Sequence, residues 1–277
     1  MVREREFHYT EKDFNTVRKL VAEQTGIHLT DAKKDLVYGR LSKRIRNLGL
    51  SSFQDYIEFV KNNHEEELVN FINAITTNLT SFFRENHHFE YLSKTLLPNI
   101  IEKNEQTRRI RIWSAGCSTG EEPYSIAMTV LETMGHLPNW DIKILATDLD
   151  TNVIDKASAG VYAEERITGI DKVRARRWFL RGQGGKSGYV KVSKELKDII
   201  TFRQLNLMNS WPMRGLFDII FCRNVVIYFD KPTQKILFDR YANILVDNGT
   251  LFIGHSETLF KVSTRFKATG NTIYQKM

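Results

Sequence analysis

Glu121 and Glu122 stand side by side after a turn of small residues, Ser114-Ala-Gly-Cys-Ser-Thr-Gly120, and Asp148 closes the run Asp141-Ile-Lys-Ile-Leu-Ala-Thr-Asp148. Paired carboxylates at such a turn repel a bound pyrophosphate and attract a cation. The turn lacks the lysine of a G-x-x-x-x-G-K-[ST] phosphate loop and the full G-x-G-x-x-G spacing. The chemistry points to a nucleotide-like ligand with positive charge. S-adenosylmethionine, with its sulfonium and amino groups, fits that description. The competing reading is that both glutamates only complement the dipole of a helix in its first turn. Asp148 ends a second strand, where an acid commonly holds ribose hydroxyls. Its alternative task is to cap the helix at 151–159, and Asp150 is better placed for that.

These residues need elements to position them. Ile110, Ile112 and Trp113 read as a buried strand, and Glu121 opens an amphipathic helix with Ile126, Val130 and Leu131 on its apolar side. Strand, glycine-bearing turn and helix form the opening unit of a doubly wound α/β sheet, whose ligands sit beyond the carboxyl ends of the strands. Further strands are expected at 200–207, 217–222 and 251–254. Between them a helix with Pro232 in its first turn should end near Asp247-Asn248-Gly249. Thr264–Gln275 reads as a closing antiparallel pair turning at Gly270-Asn271. Residues 160–200 break the rhythm. A basic helix (170–179) and the glycine-rich Arg181–Gly188 precede Tyr189-Val-Lys-Val-Ser, which alternates like an edge strand, so an inserted hairpin is expected.

The first 75 residues read as helices alone. Thr10-Glu-Lys-Asp13 is a capping box, and Phe14, Val17, Leu20 and Val21 form the stripe behind it. Gly26 ends that helix, and Asp31 is expected to cap the next. Val37, Leu41, Ile45 and Leu48 are its buried face, while Lys33, Arg40, Arg44 and Asn47 share another. Ser51 or Ser52 starts a third helix, and Leu68 to Ile75 a fourth. The polar run Thr76–Arg84 then leads into a helix over 85–103.

The chain has 277 residues, 42% hydrophobic, with net charge +7. That supports a real core in one large domain or two modest ones. Six basic residues lie between Ala32 and Leu48 and nine between Arg166 and Lys194, against one aspartate in each stretch. Such patches suit acidic partners. No run is long enough to span a bilayer, and Met-Val-Arg-Glu-Arg-Glu-Phe lacks a leader's apolar region. Cys117 and Cys222, the only cysteines, point to a reducing cytoplasm rather than a disulfide framework. No Cys/His cluster has metal-ligand spacing.

Three segments together are specific. Asn73-Ala-Ile-Thr-Thr-Asn-Leu-Thr-Ser-Phe-Phe-Arg-Glu85, Trp113–Ser125 and Phe221-Cys-Arg-Asn-Val-Val-Ile-Tyr-Phe229, with Gly254-His-Ser-Glu257, resemble the CheR family of chemotaxis-receptor protein-glutamate O-methyltransferases. The resemblance spans nearly the whole chain. It implies an α/β fold: an N-terminal all-helical domain (1–78), then a class I, Rossmann-like AdoMet-dependent methyltransferase domain (79–277) with a small β-subdomain inserted at about 178–202. It implies S-adenosyl-L-methionine as methyl donor, S-adenosyl-L-homocysteine as product, and glutamates on cytoplasmic receptor helices as acceptors. Matched residue by residue, the cofactor contacts fall on Asn78, Thr80, Arg84, Glu122, Asp148, Asn206, Leu207, Arg223 and Asn224. Arg84 and Tyr228 would stand nearest the methyl transfer. The basic second helix (Lys33, Arg40, Lys43, Arg44, Arg46) would face the acidic receptor bundle, and the glycine-rich hairpin matches a subdomain that in some members holds a receptor tether peptide. A monomer, no nucleic acid and no membrane insertion complete the expectation.

A carboxylate acceptor is already ionised at neutral pH, so in-line methyl transfer needs proximity and alignment rather than a general base. Arg84 is expected to orient the carboxylate by paired hydrogen bonds. Two rivals are a nucleic-acid methyltransferase using the basic patches and a non-catalytic AdoMet-binding docking module. Asn224-Val-Val-Ile-Tyr228 lacks the prolines of the Asn-Pro-Pro-Tyr run found in amino-group methyltransferases, and no motif shows the damage expected of an inactive module.

Overall fold

The structure, a computed structural model, describes residues 5–62, 66–135 and 137–277. Met1–Glu4, part of the segment read for a leader, lie outside the described residues. Four helices come first: α1 (Glu11–Thr25), α2 (Lys34–Asn47), α3 (Phe53–Asn62) and α4 (Glu66–Ile75). Their stripes meet in one core around Phe14, Val37, Leu41, Tyr56 and Phe71. Thr10 and Asp13 close a reciprocal capping box on α1, and Gly26 ends it with φ +74°, the left-handed conformation glycine adopts without penalty. Asp31 does not cap α2. It opens a 3₁₀ turn and pairs with Arg18 at 2.9 Å, an ion pair that takes the side chain away from the helix end.

After the segment 76–86 come α5 (His87–Tyr91), a π-helical turn and α6 (Leu97–Lys103), running on as one rod. The strand β1 (Arg109–Ala115), helix α7 (Glu121–Met134), β2 (Asp141–Asp148) and α8 (Thr151–Ala159) follow. The inserted part comprises β3 (Val161–Ala163), α9 (Lys172–Trp178), β4 (Phe179–Arg181) and β5 (Tyr189–Val192), with α10 (Lys194–Asp198) leading out. The remainder is β6 (Ile200–Gln204), β7 (Phe217–Cys222), α11 (Lys231–Ile244), β8 (Leu245–Ile253), β9 (Phe266–Gly270) and β10 (Ile273–Lys276).

The main sheet has the order β6-β2-β1-β7-β8-β10-β9. The first five strands run parallel, and β10 and β9 close the far edge antiparallel. The order reverses between β1 and β7, where ligands of doubly wound sheets bind. Every residue of β7 is buried, as a strand covered on both faces must be.

Three further expectations change. The small sheet, β3-β5-β4, begins at Val161 rather than near 178, and Ile200–Gln204 belongs to the main sheet beside β2. Tyr189–Val192 is its central strand rather than an edge, because β3, invisible as a three-residue strand, pairs with its other side. Finally, α11 ends at Ile244, before Asp247-Asn248-Gly249. Leu245 already pairs with Phe217, and the turn-like triplet is the irregularity across which the register shifts before Ile219 meets Thr250. A turn signal inside a strand marks such a bulge.

Candidate functional site

The loop after β1 is the floor of the site. Gly116 and Cys117 donate to the Thr147 carbonyl at 2.8 and 2.9 Å, so the chain turns back over the end of β2. Gly116 has φ +85°, and a Cβ there would come within 2.3 Å of Val225 Cγ2. Only glycine therefore lets the loops after β1 and β7 meet. Asp148, at the tip of β2, accepts from the Ser118 amide at 2.8 Å and the Asp150 amide at 3.0 Å. An ionised carboxylate has about four acceptor positions, so capacity for a vicinal diol remains. Burial pushes Asp148 upward from its ordinary value, against those amides.

The paired glutamates divide their labour. Glu121 turns away from the cleft: it accepts from Thr119 Oγ1 at 2.6 Å and pairs with Arg166. Glu122 faces the cleft, accepting from Ser114 Oγ at 2.7 Å, with Arg223 Nη1 at 3.3 Å. Burial raises its pKa, opposed by Arg223 and Ser114. Asp150 caps α8 through the Asn152 amide at 2.9 Å and also accepts from Asn78 Nδ2 at 2.7 Å and Thr76 Oγ1 at 2.8 Å. The Asn78 carbonyl in turn accepts from Ser118 Oγ at 2.9 Å.

A cleft of about 530 Å³ opens over this floor, and Asn78, Thr80, Arg84, Glu122, Asp148, Asn206, Leu207, Arg223, Asn224 and Tyr228 all line it. That volume lies within the range of small-molecule sites, about 300–1,000 Å³. All the residues expected at the cofactor and the methyl transfer are thus brought together. Their side chains differ in freedom. Asn206 is committed to the Gln24 carbonyl and the Met208 amide, at 2.7 and 2.9 Å, so its amide braces the wall. Arg84 Nη1 donates to the Leu79 carbonyl at 3.0 Å. Burial raises the Tyr228 pKa, while Arg84 and Arg40 pull it down.

Several contributors were assigned no role at the cleft from the sequence. Ile27–Thr30, Lys33 and Leu36 of the helical domain form one wall of the cleft. The His28 amide donates to the Tyr228 carbonyl at 2.7 Å, tying that wall to the loop after β7. Glu257, 6% exposed, accepts from the amides of Gly254 (2.5 Å), Asn224 (3.0 Å) and Ile227 (3.2 Å), clamping the loops after β7 and β8 together. Periodicity cannot reveal a side chain whose partners are backbone amides of another loop.

The basic face of α2 is less free than its sequence suggests. Arg40 donates to the carbonyls of Ile75 and Thr76, both at 2.6 Å, and Arg44 grips Glu67 with two nitrogens, at 2.9 and 2.5 Å. Arg46 pairs at the surface with Glu6, and Lys33 and Lys43 are exposed. Helical spacing puts residues on a face without saying what packs against it. Among the described residues no helix is long and apolar enough to cross a membrane, and no cluster could hold a metal ion.

The donor set suits S-adenosylmethionine: carboxylates at the end of β2 and under the cleft for a diol and a cation, and an apolar wall for a base. A seven-stranded sheet in this order, with an acid at the tip of its second strand and the cleft at its switch point, defines a class I AdoMet-dependent methyltransferase. Comparison with known proteins narrows this. Residues 12–76 match the CheR methyltransferase all-alpha domain and residues 78–275 the CheR methyltransferase SAM-binding domain. Chemotaxis protein methyltransferase 2 of Pseudomonas aeruginosa is 46% identical over 271 residues, covering 97% of this chain and 94% of that protein. The chemotaxis protein methyltransferase of Escherichia coli is 42% identical over 264 residues, 94% of this chain and 88% of that protein. The chain belongs to the CheR methyltransferase family, and its methyl donor is S-adenosylmethionine.

Proposed function

We propose that the protein esterifies glutamate side chains on the cytoplasmic helices of chemoreceptors. The observation that carries this is the sign of the charges around one cleft: Glu122 and Asp148 on the floor, Lys33 and Arg84 among the lining residues beside Tyr228. A floor of carboxylates suits a cationic donor, and cations at the lining suit an anionic acceptor. AdoMet supplies an electrophilic methyl on a sulfonium. Asp148 is assigned the ribose, Glu122 the cationic end, and Asn78, Thr80, Asn206, Leu207, Arg223 and Asn224 the remaining wall. Arg84 orients the acceptor carboxylate and Tyr228 closes the site beside it. No base is needed, because the acceptor is already an anion.

Receptor docking is assigned to the exposed cations Lys33, Lys43 and Arg46 of the basic helix and its approach, with Arg40 and Arg44 holding that helix in place. The small sheet offers a second contact, for a tether peptide at a receptor tail. Its strand β4 has one free edge beside a groove lined by Glu164, Lys172, Arg176 and Arg181. An extended peptide can add to such an edge. The enzyme is read as a cytoplasmic monomer. The test is transfer of labelled methyl from AdoMet to receptor-bearing membranes, followed by alkali. Release of volatile labelled methanol is expected for carboxyl esters. Label that survives alkali would mean nitrogen methylation and overturn the reading.

A further inference from the structure

Leu79 lies inside the motif Asn73–Glu85, with no role assigned to its side chain. It is 80% exposed, the most exposed of the large apolar side chains among the described residues. Its backbone is nonetheless held. Three consecutive carbonyls each accept from a side chain elsewhere in the chain: Asn78 from Ser118 Oγ at 2.9 Å, Leu79 from Arg84 Nη1 at 3.0 Å and Thr80 from Arg166 Nη2 at 2.8 Å. Asn78 Nδ2 also donates to Asp150 at 2.7 Å. The segment is therefore braced without any packing of the leucine side chain. A single exposed leucine is ordinary on a protein surface; this one is distinguished by its position.

Leu79 and Ile227 both line the cleft that holds Arg84 and Tyr228. Leu79 is tied through its carbonyl to Arg84. Ile227, 49% exposed, immediately precedes Tyr228 and is fixed by its amide to Glu257 at 3.2 Å. Each residue assigned to the methyl transfer thus has an exposed apolar neighbour on braced backbone. The deeper apolar lining differs: Leu207 and Phe229, each 8% exposed, are covered by the protein itself. Leu79 therefore stands at the rim, outside the enclosed part of the cleft. A glutamate on a helix can enter such a cleft only by bringing its helix against the rim. Residues three and four positions away lie about 5–6 Å from it on the same face, within reach of rim side chains. Those neighbours and the glutamate's own methylenes are the surface an apolar rim residue can cover, and a contact on an already ordered loop costs little entropy to make.

We propose that Leu79 is an acceptor-contact residue: it packs on the receptor helix beside the glutamate being esterified and adds apolar binding to the charge attraction of Lys33 and Arg84. The proposal rests on the reading of receptor glutamates as the acceptors. Steady-state kinetics of the full chain with a receptor cytoplasmic fragment, at saturating AdoMet, are measured for the parent, Leu79→Ser and Leu79→Met, together with the calorimetric AdoMet affinity of each. Because the side chain is exposed and Arg84 grips the carbonyl, neither substitution removes a bond that holds the fold. Leu79→Ser should raise KM for the fragment on the order of tenfold, the loss of one partly buried leucine contact, with kcat and AdoMet affinity each within about twofold of the parent. Leu79→Met keeps the apolar bulk and should hold KM within about threefold of the parent. An unchanged KM in the serine variant, or an AdoMet affinity that falls as KM rises, would overturn the proposal, the second by returning Leu79 to the cofactor. A methionine variant as impaired as the serine one would overturn it too. A parent that transfers no methyl to the fragment would refute the acceptor reading itself, whereas an active parent with an indifferent serine variant refutes the contact alone.

Discussion

Glu257→Gln isolates the clamp between the two switch-point loops. The carboxylate accepts three backbone amides, two on Oε2 (Gly254 and Asn224) and one on Oε1 (Ile227). Glutamine is isosteric but presents an NH₂ in place of one oxygen. Its better orientation keeps the oxygen on Gly254 and Asn224 and turns the nitrogen to Ile227, so one amide loses its acceptor and faces a donor. An unsatisfied donor of this kind costs about 1–3 kcal/mol. Taking about 2 kcal/mol over a chain of this length, the melting temperature should fall by about 4 °C. Because Asn224 and Arg223 line the cleft beside the loosened amide, AdoMet should also bind more weakly. Thermal unfolding with and without AdoMet reads both effects. Unchanged melting and unchanged AdoMet stabilisation would show that the carboxylate does not hold these loops.

Gly116→Ala should abolish AdoMet binding, since its Cβ would stand 2.3 Å from Val225 Cγ2. Adding Val225→Ala should restore binding only in part, because the left-handed backbone at 116 still costs about 1–2 kcal/mol for alanine; calorimetric titration of both variants measures this. Arg44→Ala should destabilise the helical domain by about 3 kcal/mol, read from the urea midpoint, because Glu67, 4% exposed, keeps Tyr56 and Asn70 as its side-chain partners among the described residues but loses its cation. Burial works against Glu67 ionising, but Arg44 and Tyr56 win and lower its folded pKa. The pair's contribution is therefore full above the unfolded carboxylate value and lost as pH falls through the folded one. AdoMet affinity should decline on acidification earlier than for ordinary carboxylates, whose pKa is about 4, since burial raises both Glu122 and Asp148. Titrations at a series of pH values would contradict this if affinity stayed constant down to about pH 4.

The parts of the molecule legible in the sequence are those where one local rule decides. The capping box at Thr10, the Asp150 cap, the glycine at 116 and the antiparallel pair around Gly270-Asn271 each follow from a few neighbouring residues. The residues expected at the cofactor came from spaced motifs and from two strand ends, Asp148 and Asn206-Leu207, and all of them line the cleft. What escaped depends on contacts distant in the chain. Asp247-Asn248-Gly249 looks like a helix stop, but pairing of Leu245 with Phe217 makes it a bulge in β8. Arg40 and Arg44 look like free surface until α4 supplies Glu67 and a helix end to receive them. Glu121 and Glu122, identical neighbours, take opposite duties because consecutive helical positions point about 100° apart and only one faces the cleft.

The central claim is that the methyl acceptor is a glutamate carboxylate. A receptor cytoplasmic fragment incubated with the enzyme and AdoMet, digested at mildly acidic pH and mapped by mass spectrometry, tests it most directly. The account predicts one added methyl on glutamate side chains of receptor helices, absent when Arg84 is replaced by alanine. Methyl groups on lysine, arginine or histidine nitrogens instead would contradict it.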